Sequence, residues 1–222
     1  MKMDLHIHSV FSSDGRERPE DILRYARKIG LDGIAILDHN DVRGSLKAYE
    51  MSKGMEDFLV VRGLEVSTDA GHIIAYGVDK SVPSRKTIEE TVEMVQDFGG
   101  ISVVPHPYRF WSGIGAKSVS PKYFSAIEIQ NGRCTPRNNR RSRELAEKLQ
   151  LGQTGGTDSH DLEEVGRSFT MFESNPASED EVIEEIMKRR TTANGESRGI
   201  RGTMEYVYSS ITKWIGRGMK KI

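Results

Sequence analysis

Six histidines, each within a short motif, are the most chemically informative residues of this 222-residue chain. His6 and His8 form a His-x-His pair in "MDLHIHS". Side chains two residues apart on a strand point to the same face, so both imidazoles can reach one ion. The other four motifs are "AILDHND" with His39, "GLEVSTDAGHIIAYG" with His72, "SVVPHPYRF" with His106 and "GGTDSHD" with His160. Imidazoles and carboxylates together suit Zn, Mn or Fe, and a set this large indicates more than one ion.

Packing alone does not explain this pattern. A single histidine is usually a structural or a surface residue, but "TDSH" repeats the spacing of the first pair with Asp158 and His160. Burying six histidines and several carboxylates without ligands would carry a heavy desolvation cost. The residues therefore predict a metal centre that contains several ions.

Five of the histidine motifs begin as short apolar runs and end in polar residues, as in an α/β barrel whose strand tips carry the chemistry. The predicted strands are Met3–His6, Gly33–Leu37, Phe58–Val66, His72–Tyr76, Ile101–Val104, Ala126–Ile129, Gln153–Gly155 and Phe169–Phe172. The predicted helices are "RPEDILRYARKIG", Val42–Lys53, Thr87–Phe98, Pro136–Leu149 and Ser178–Lys188. This alternation predicts parallel strands with right-handed crossovers, except for a hairpin between Glu65 and Tyr76.

Composition sets broad limits on the class of protein. The 32 Lys and Arg residues nearly balance the 33 Asp and Glu residues, so the whole chain has no polyelectrolyte character. Cys134 is the one cysteine, which excludes an internal disulfide and fits a reducing compartment. The first residues have no apolar signal region, and no window approaches the length of a transmembrane helix. We therefore expect a cytoplasmic protein.

The composition becomes more basic near the end, which predicts a division into a catalytic part (1–190) and a tail (191–222). Within the tail, "NGESRGIRG" predicts a flexible linker. The segment that follows spaces its apolar residues like one face of a helix: Met204, Val207, Ile211, Trp214 and Ile215. Docking of this helix on the barrel or on a second subunit, giving a homo-oligomer, is the favoured interpretation. Binding to nucleic acid or to a membrane surface remains an alternative.

The ordered motifs "DLHIHSVFSSDG", "GIAILDHND", "GLEVST…GHIIAYG", "VVPHP", "IEIQNGR" and "GGTDSHD" resemble those of the PHP (polymerase and histidinol phosphatase) family of metal-dependent phosphoesterases. The resemblance runs from about Met3 to Phe172. It implies an α/β fold, a distorted seven-stranded (β/α) barrel with the metal cluster at the C-terminal ends of its strands. The length is similar to that of a stand-alone member.

The same resemblance implies a role for each ligand. His6, His8, Glu65 and Asp158 would hold a first ion. Glu65 would bridge to a second ion held by His72 and His106, and Asp14, His39 and His160 would hold a third. Glu65, Asp158 and His106 would be the residues most directly involved in catalysis. Asp38 would orient a ligand, and Asp4 is expected to do no more than end a strand.

Two close divalent ions lower the pKa of a shared water, so a bridging hydroxide becomes available for attack on phosphorus near neutral pH. A third ion could stabilise the leaving-group oxygen. The expected cofactors are two or three Mn, Zn or Fe ions.

Three arginines near the motifs are candidates for binding substrate phosphate, since a guanidinium matches the geometry of phosphate oxygens. They are Arg109, Arg133 and Arg167. Each could instead be a solvated charge. The stretch "RCTPRNNRRSRE" contains five arginines and could contact nucleic acid. An exposed helix start is slightly favoured, because glutamates follow and the sequence offers no evident aromatic stacking platform.

The leading hypothesis is a hydrolase of phosphate esters, acting on small metabolites, nucleotides or oligonucleotide ends. A histidinol-phosphate phosphatase is the named alternative substrate assignment. A nucleic-acid-binding module with accessory metals needs fewer ligands than the chain has. A metal hydrolase of C–N bonds often uses a carbamylated lysine ligand, and none of these motifs contains a lysine.

Overall fold

A computed structural model describes residues 1–55, 57–197 and 199 of the chain. The strands are β1 (Lys2–Ile7), β2 (Gly33–Ile36), β3 (Leu59–Val61), β4 (Gly63–Ser67), β5 (His72–Tyr76), β6 (Ile101–Val104), β7 (Ala126–Asn131), β8 (Gly152–Gly156), β9 (Ser168–Phe172) and β10 (Thr191–Gly195). The helices are α1 (Pro19–Lys28), α2 (Arg43–Ser52), α3 (Ile88–Asp97), α4 (Pro136–Leu149) and α5 (Glu179–Met187). Each predicted helix is present, with ends that differ by a few residues.

The described strands form two five-stranded sheets with the orders β10-β9-β1-β2-β3 and β4-β5-β6-β7-β8. Pairing is parallel within β1-β2-β3 and within β6-β7-β8, and antiparallel in the predicted β4-β5 hairpin. It is also antiparallel at β5-β6, β1-β9 and β9-β10, so the prediction of parallel pairing outside the hairpin was wrong for β5-β6 and β1-β9. Two isolated bridges, Ile7 to Ser159 and His39 to Glu65, connect one sheet with the other. The α/β class is thus confirmed, whereas closure into a seven-stranded barrel stays a prediction.

The core lies between the two sheets and beneath the helices. Leu5 and Ala35 from the first sheet share a buried apolar cluster with Ile74 and Val103 from the second. The helices cover the outer faces: α1 buries Ile22 and Leu23 in a second cluster. The sequence favours the start of this helix, because Pro19 suits the first helical position and Glu20 and Asp21 lie near the positive end of the helix dipole.

The sequence-predicted strand Phe58–Val66 is in fact two strands, and the chain changes sheets between them at Arg62. The Arg62 backbone N–H donates to Glu179 Oε1 at 2.5 Å, and its guanidinium Nε donates to Glu179 Oε2 at 2.8 Å. The next residue must be small, because a Cβ on Gly63 would lie 2.3 Å from the carbonyl oxygen of Ala75. The Arg-Gly pair inside "FLVVRGLEV" was the available signal for this break, although the apolar runs on both sides favour a single strand.

The end of the described chain also differs from the linker prediction. Asn194 and Gly195 belong to β10, which pairs antiparallel with β9 over five residues. Glu196 and Ser197 stay close to the sheet, because Gln130 Nε2 donates to the Glu196 carbonyl at 2.9 Å. The predicted division at residue 190 stays a prediction, and the predicted apolar helix face from Met204 to Ile215 lies outside the described residues. None of the described helices is both long and apolar enough to span a bilayer.

Candidate metal centre

The nine predicted ligands converge at one end of the sheets. His6 lies in β1, Glu65 in β4 and His72 at the first residue of β5. The others follow strand ends: His8 after β1, His39 after β2, His106 after β6, and Asp158 and His160 after β8. Asp14 is on the loop between β1 and α1. Parallel strands end at the same edge of a sheet, which is why residues distant in sequence meet here.

Glu65 is the centre of the cluster. Its Oε1 lies 2.9 Å from His72 Nδ1 and 3.0 Å from His106 Nε2. Its Oε2 lies 3.2 Å from His39 Nδ1, 3.4 Å from His8 Nε2 and 3.6 Å from His6 Nε2. Both oxygens of one buried carboxylate therefore face imidazoles, which is the arrangement expected of a bridging ligand.

Asp158 and Asp14 extend the cluster to the loop after β8. Asp158 Oδ1 lies 3.4 Å from His8 Nε2. Asp14 Oδ2 lies 2.9 Å from His160 Nε2 and 3.8 Å from His39 Nε2. The Asp14 side chain is 43% exposed, so this end of the cluster opens to solvent while the Glu65 end is buried.

Several of these nitrogen atoms are buried without a hydrogen-bond partner in the described residues. They are Nε2 of His6, Nε2 of His8 and Nδ1 of His39, each of which faces Glu65. Unpartnered buried polar atoms are costly in a folded protein and call for a missing partner. Here their neighbours are carboxylates and other imidazoles, so the donor set fits a divalent metal.

Four groups of three ligand atoms lie within 4.8 Å of one another: His6, His8 and Asp158; His6, Glu65 and His106; His8, Asp14 and His160; His8, His39 and Glu65. The first group lies within the ligand set predicted for the first ion. His72, predicted for the second ion, contacts Glu65 but belongs to none of these groups. His8, predicted for the first ion, also forms a group with Asp14 and His160 of the predicted third set. The division of ligands among individual ions stays a prediction.

The electrostatics of the cluster keep its carboxylates ionised. Burial would raise the pKa of Glu65, but the neighbouring histidines, first His72 and then His39, hold it well below its usual value. Burial likewise opposes ionisation of Asp158, and Arg109 and His6 lower its pKa. Burial lowers the pKa of His8 to about 3, so this imidazole is neutral and can donate a lone pair to a metal at neutral pH.

Sequence reasoning missed Glu128, a buried carboxylate in β7. Its Oε1 lies 2.9 Å from His6 Nδ1, and its Oε2 accepts the backbone N–H of His106 at 3.1 Å and Asn131 Nδ2 at 2.9 Å. A carboxylate that holds Nδ1 of a histidine directs Nε2 of that ring towards a metal. A glutamate inside the apolar run "AIEIQN" was the available signal, because an ionisable residue is rarely buried without a partner.

Asp4 and Asp38 accept hydrogen bonds from residues that are adjacent in sequence to predicted ligands. Asp4 Oδ1 and Oδ2 accept the Thr157 N–H and hydroxyl, at 3.0 and 2.6 Å, so β1 is tied to the residue that precedes Asp158. Burial raises the pKa of Asp4 to about 6. Asp4 is therefore more than the strand-end residue expected from sequence. Asp38 accepts the Ser9 N–H and hydroxyl, both at 2.7 Å, which fits the supporting role predicted for it.

The backbone is strained at two of the predicted ligands, His106 and Asp158. His106 has φ 29° and Asp158 has φ 54°, a region that side chains with a Cβ rarely adopt. Such conformations persist only where the surrounding structure imposes them, and they occur often at functional sites. Close packing also constrains the backbone just before Asp158, since a Cβ on Gly156 would lie 2.4 Å from the backbone nitrogen of His6.

Two of the three candidate arginines lie at the cluster. Arg109 NH1 donates to Asp158 Oδ2 at 2.7 Å. Arg133 NH1 contacts His160 Nδ1 and lies 3.5 Å from the Asp158 carbonyl oxygen. Arg167 is exposed just before β9, and within the described residues its guanidinium forms no hydrogen bond or ion pair. The structure therefore brings Arg109 and Arg133, but not Arg167, into contact with the predicted ligands.

Comparison with known families fits this geometry. The model of the PHP domain matches residues 4–132, and the PHP-associated model matches residues 136–191. The chain belongs to the PHP family. An uncharacterised protein of Methanocaldococcus jannaschii is 38% identical over 120 residues, which cover 49% of this chain and 68% of that protein. A probable histidinol-phosphatase of Thermotoga maritima is 29% identical over 72 residues, or 30% of this chain and 31% of that protein.

Solved PHP-like structures share the fold. A two-domain protein of Bacteroides vulgatus, containing a predicted PHP-like metal-dependent phosphoesterase, superposes with a TM-score of 0.72 at 21% identity. That match covers 88% of this chain and 65% of the Bacteroides vulgatus protein, so this chain spans slightly less than two thirds of the length of that protein. A lesion-specific endonuclease of Pyrococcus furiosus has a TM-score of 0.63 at 17% identity, covering 84% of this chain and 56% of the other. At these identities the likeness shows the fold.

Proposed function

We propose that this PHP protein is a metal-dependent phosphoesterase that hydrolyses phosphate esters of small metabolites, nucleotides or oligonucleotide ends. The observation that carries the proposal is the buried group of His6, His8 and Asp158, whose ligand atoms lie within 4.8 Å of one another. In this group the Nε2 atoms of both histidines are buried and make no hydrogen bond with any described residue. Family membership supports phosphoester hydrolysis as the chemistry.

The donor set fits two or three divalent ions of the Mn, Zn or Fe type, held by His6, His8, Asp14, His39, Glu65, His72, His106, Asp158 and His160. Bound ions of this kind lower the pKa of a water molecule and neutralise charge on phosphoryl oxygens. Glu65 is the proposed bridging ligand, because five imidazoles approach its two oxygens. The ligands would converge in a barrel of seven strands, for which the two bridges between the sheets give support.

The chain itself orients the ligands and the substrate. Glu128 holds the ring of His6 in one orientation and fixes the backbone position of His106. Arg109 and Arg133 lie beside Asp158 and His160, at positions where a guanidinium can donate hydrogen bonds to phosphate oxygens. No serine or cysteine nucleophile is required for this reaction, and Cys134 is buried outside the cluster.

Histidinol phosphate remains the named alternative substrate, supported by the similarity to a probable histidinol-phosphatase over 72 residues. The test is a phosphate-release screen with Mn, Zn and Fe loaded separately, across nucleotides, sugar phosphates, histidinol phosphate and oligonucleotides. A panel of amide substrates run in parallel separates this proposal from C–N hydrolysis. Hydrolysis of phosphoesters that stops with a chelator and returns with metal is the expected result, and amide hydrolysis alone would contradict the proposal.

A further inference from the structure

The loop between β6 and the segment that precedes β7 holds two exposed aromatic rings next to the metal centre. Arg109 NH1 is bonded to Asp158 at 2.7 Å, and the Ser112 carbonyl accepts the backbone N–H of His72 at 2.8 Å. Between these two anchors, Phe110 is 85% exposed and Trp111 is 63% exposed. We call Tyr108–Ser112 the aromatic loop. Both of its ends are fixed to predicted metal ligands, so the rings stand at the edge of the cluster.

The two rings contact each other rather than the core. Their centroids are 4.8 Å apart with an interplanar angle of 89°. Large apolar side chains in water gain free energy when a ligand covers them, and an exposed pair beside a polar site indicates a binding surface. Nucleobases suit such rings, because every base presents a flat face on which an aromatic side chain can stack.

An arginine face on α4 continues from the aromatic loop. Arg137, Arg140 and Arg141 are exposed, and their spacing of three and four residues places them on one side of the helix. The Arg141 guanidinium lies 3.9 Å from the centre of the Tyr108 ring, and Asn138 Nδ2 donates to the Tyr108 carbonyl at 3.2 Å. The arginine face and the aromatic loop are therefore adjacent.

The charge of this face favours an anionic ligand. The first turn of α4 contains no acidic residue, and the helix dipole adds positive potential at that end. Arg140 lies 3.8 Å from Glu144, but both side chains are largely exposed, so this pair neutralises little. The whole chain has a net charge of −1, so the attraction of an anionic ligand comes from the arginine face and not from the charge of the protein as a whole.

We propose that the aromatic loop and the arginine face together bind single-stranded nucleic acid and deliver one of its phosphodiesters to the metal centre. This inference rests on the proposed phosphoesterase function and names its substrate class. Hydrolysis adds water across one P–O bond: one product keeps the phosphate, and the other leaves as an alcohol that carries a proton from the water. A single strand is required because paired bases are stacked on each other and cannot stack on Phe110 and Trp111.

The test is binding of a fluorescent single-stranded oligonucleotide of about 12 nucleotides, a length within the usual site size of such proteins. Full-length protein is used with a chelator, so that cleavage does not interfere, and anisotropy gives the affinity. The variants are Phe110→Ala with Trp111→Ala, and Arg137→Gln with Arg140→Gln. Arg24→Gln with Lys28→Gln on α1 is the matched control, because it removes the same charge from another exposed helix.

We expect at least about a tenfold loss of affinity in the aromatic variant and retention in Phe110→Tyr with Trp111→Phe, which keeps both rings. The arginine variant should flatten the slope of log affinity against log salt by about 1.4, and the control should change neither quantity. Equal affinity for duplex and single strand, or losses no larger than those of the control, would overturn the proposal. A mononucleotide that competes as well as the oligonucleotide would also overturn it.

A second readout separates this inference from the function on which it rests. Both variants should keep metal-dependent hydrolysis of the best non-aromatic phosphoester from the screen, since neither changes a predicted ligand. Hydrolysis of that compound without oligonucleotide binding contradicts the inference alone. Oligonucleotide binding without hydrolysis of any phosphoester contradicts the proposed function instead.

Discussion

Glu128 Oε1 lies 2.9 Å from His6 Nδ1, and the second oxygen of the same carboxylate accepts the backbone N–H of His106. One side chain in β7 thus holds two predicted ligands, the ring of His6 in β1 and the backbone of His106 after β6. Both ends of this contact are buried, so water cannot replace the carboxylate.

Glu128→Gln should therefore weaken metal binding while leaving every predicted ligand in place. Loss of a carboxylate that supports a metal-bound histidine typically costs about 10–100-fold in affinity. Titration of chelator-treated protein with Zn or Mn measures the change. Glu147→Gln, on the exposed side of α4, is the matched control. Equal affinities in the two variants would show that Glu128 does not orient His6.

Glu65→Gln should reduce activity more than a change of any other predicted ligand, because this carboxylate faces five imidazoles and, as the proposed bridging ligand, would supply charge to more than one ion. We expect a loss beyond the 10–100-fold typical of a supporting residue. His160→Ala should cost less, since His160 belongs to the more open end of the cluster. The measurement is kcat/KM with metal content determined on the same samples. Near-wild-type turnover in a folded Glu65→Gln protein would rule out a bridging role.

The metal-loaded protein should contain two or three divalent ions per chain, as the number of ligands requires. Elemental analysis after loading and desalting gives the count, and a saturating content below two contradicts a multinuclear centre. Because the ions bind the folded state, chelation should also lower the melting temperature. An unchanged melting temperature after complete metal removal would contradict such coupling.

Substitutions of Arg133 and Arg167 should lower kcat/KM to different degrees. Arg133 contacts His160, whereas Arg167 is exposed away from the predicted ligands. Removing a charge-assisted phosphate contact costs about 1.5–3 kcal/mol, so Arg133→Ala should lower kcat/KM by roughly tenfold or more. Arg167→Ala serves as the matched comparison and should have the smaller effect. The reverse order would place the substrate phosphate on the β9 side of the site.

Removal of the basic tail should preserve hydrolysis of a small phosphoester. Asn139 Nδ2 donates to Ser197 Oγ at 2.9 Å, so the cut should follow Gly199 rather than Gly195. If the tail docks on the barrel or on a second subunit, truncation lowers the melting temperature or changes the oligomeric state seen by light scattering. Loss of activity on the small substrate would instead place part of the active site in the tail.

The shared face of the His-x-His pair and the meeting of several strand ends could be predicted from the sequence, because residue spacing fixes which face a side chain occupies. The assignment of nine residues as metal ligands came from the resemblance to the PHP family and stays a prediction. The hydrogen bonds that support these residues could not be predicted. Glu128 and Asp4 act through contacts between residues more than 100 positions apart, and such pairings have no local pattern. The strand break had a local signal in the Arg62-Gly63 pair, but the salt bridge that holds it joins Arg62 to Glu179, 117 positions away in the sequence.

The aromatic loop was also missed. "PYRFW" directly follows His106, a predicted metal ligand, and aromatic residues in such a segment would ordinarily be assigned to the core. Exposure of Phe110 and Trp111 depends on the anchors at Asp158 and His72, which the sequence does not indicate.

The left-handed backbone at His106 and Asp158 limits which residues can replace them. Asn adopts this conformation more readily than most residues, so Asp158→Asn would keep the path of the backbone. It would also remove the charge that Arg109 and His6 face, and with it the ion pair between Asp158 and the Arg109 guanidinium. In a descendant of this chain that had lost its ions, asparagine is therefore the replacement that the backbone accepts at position 158, at the expense of this ion pair.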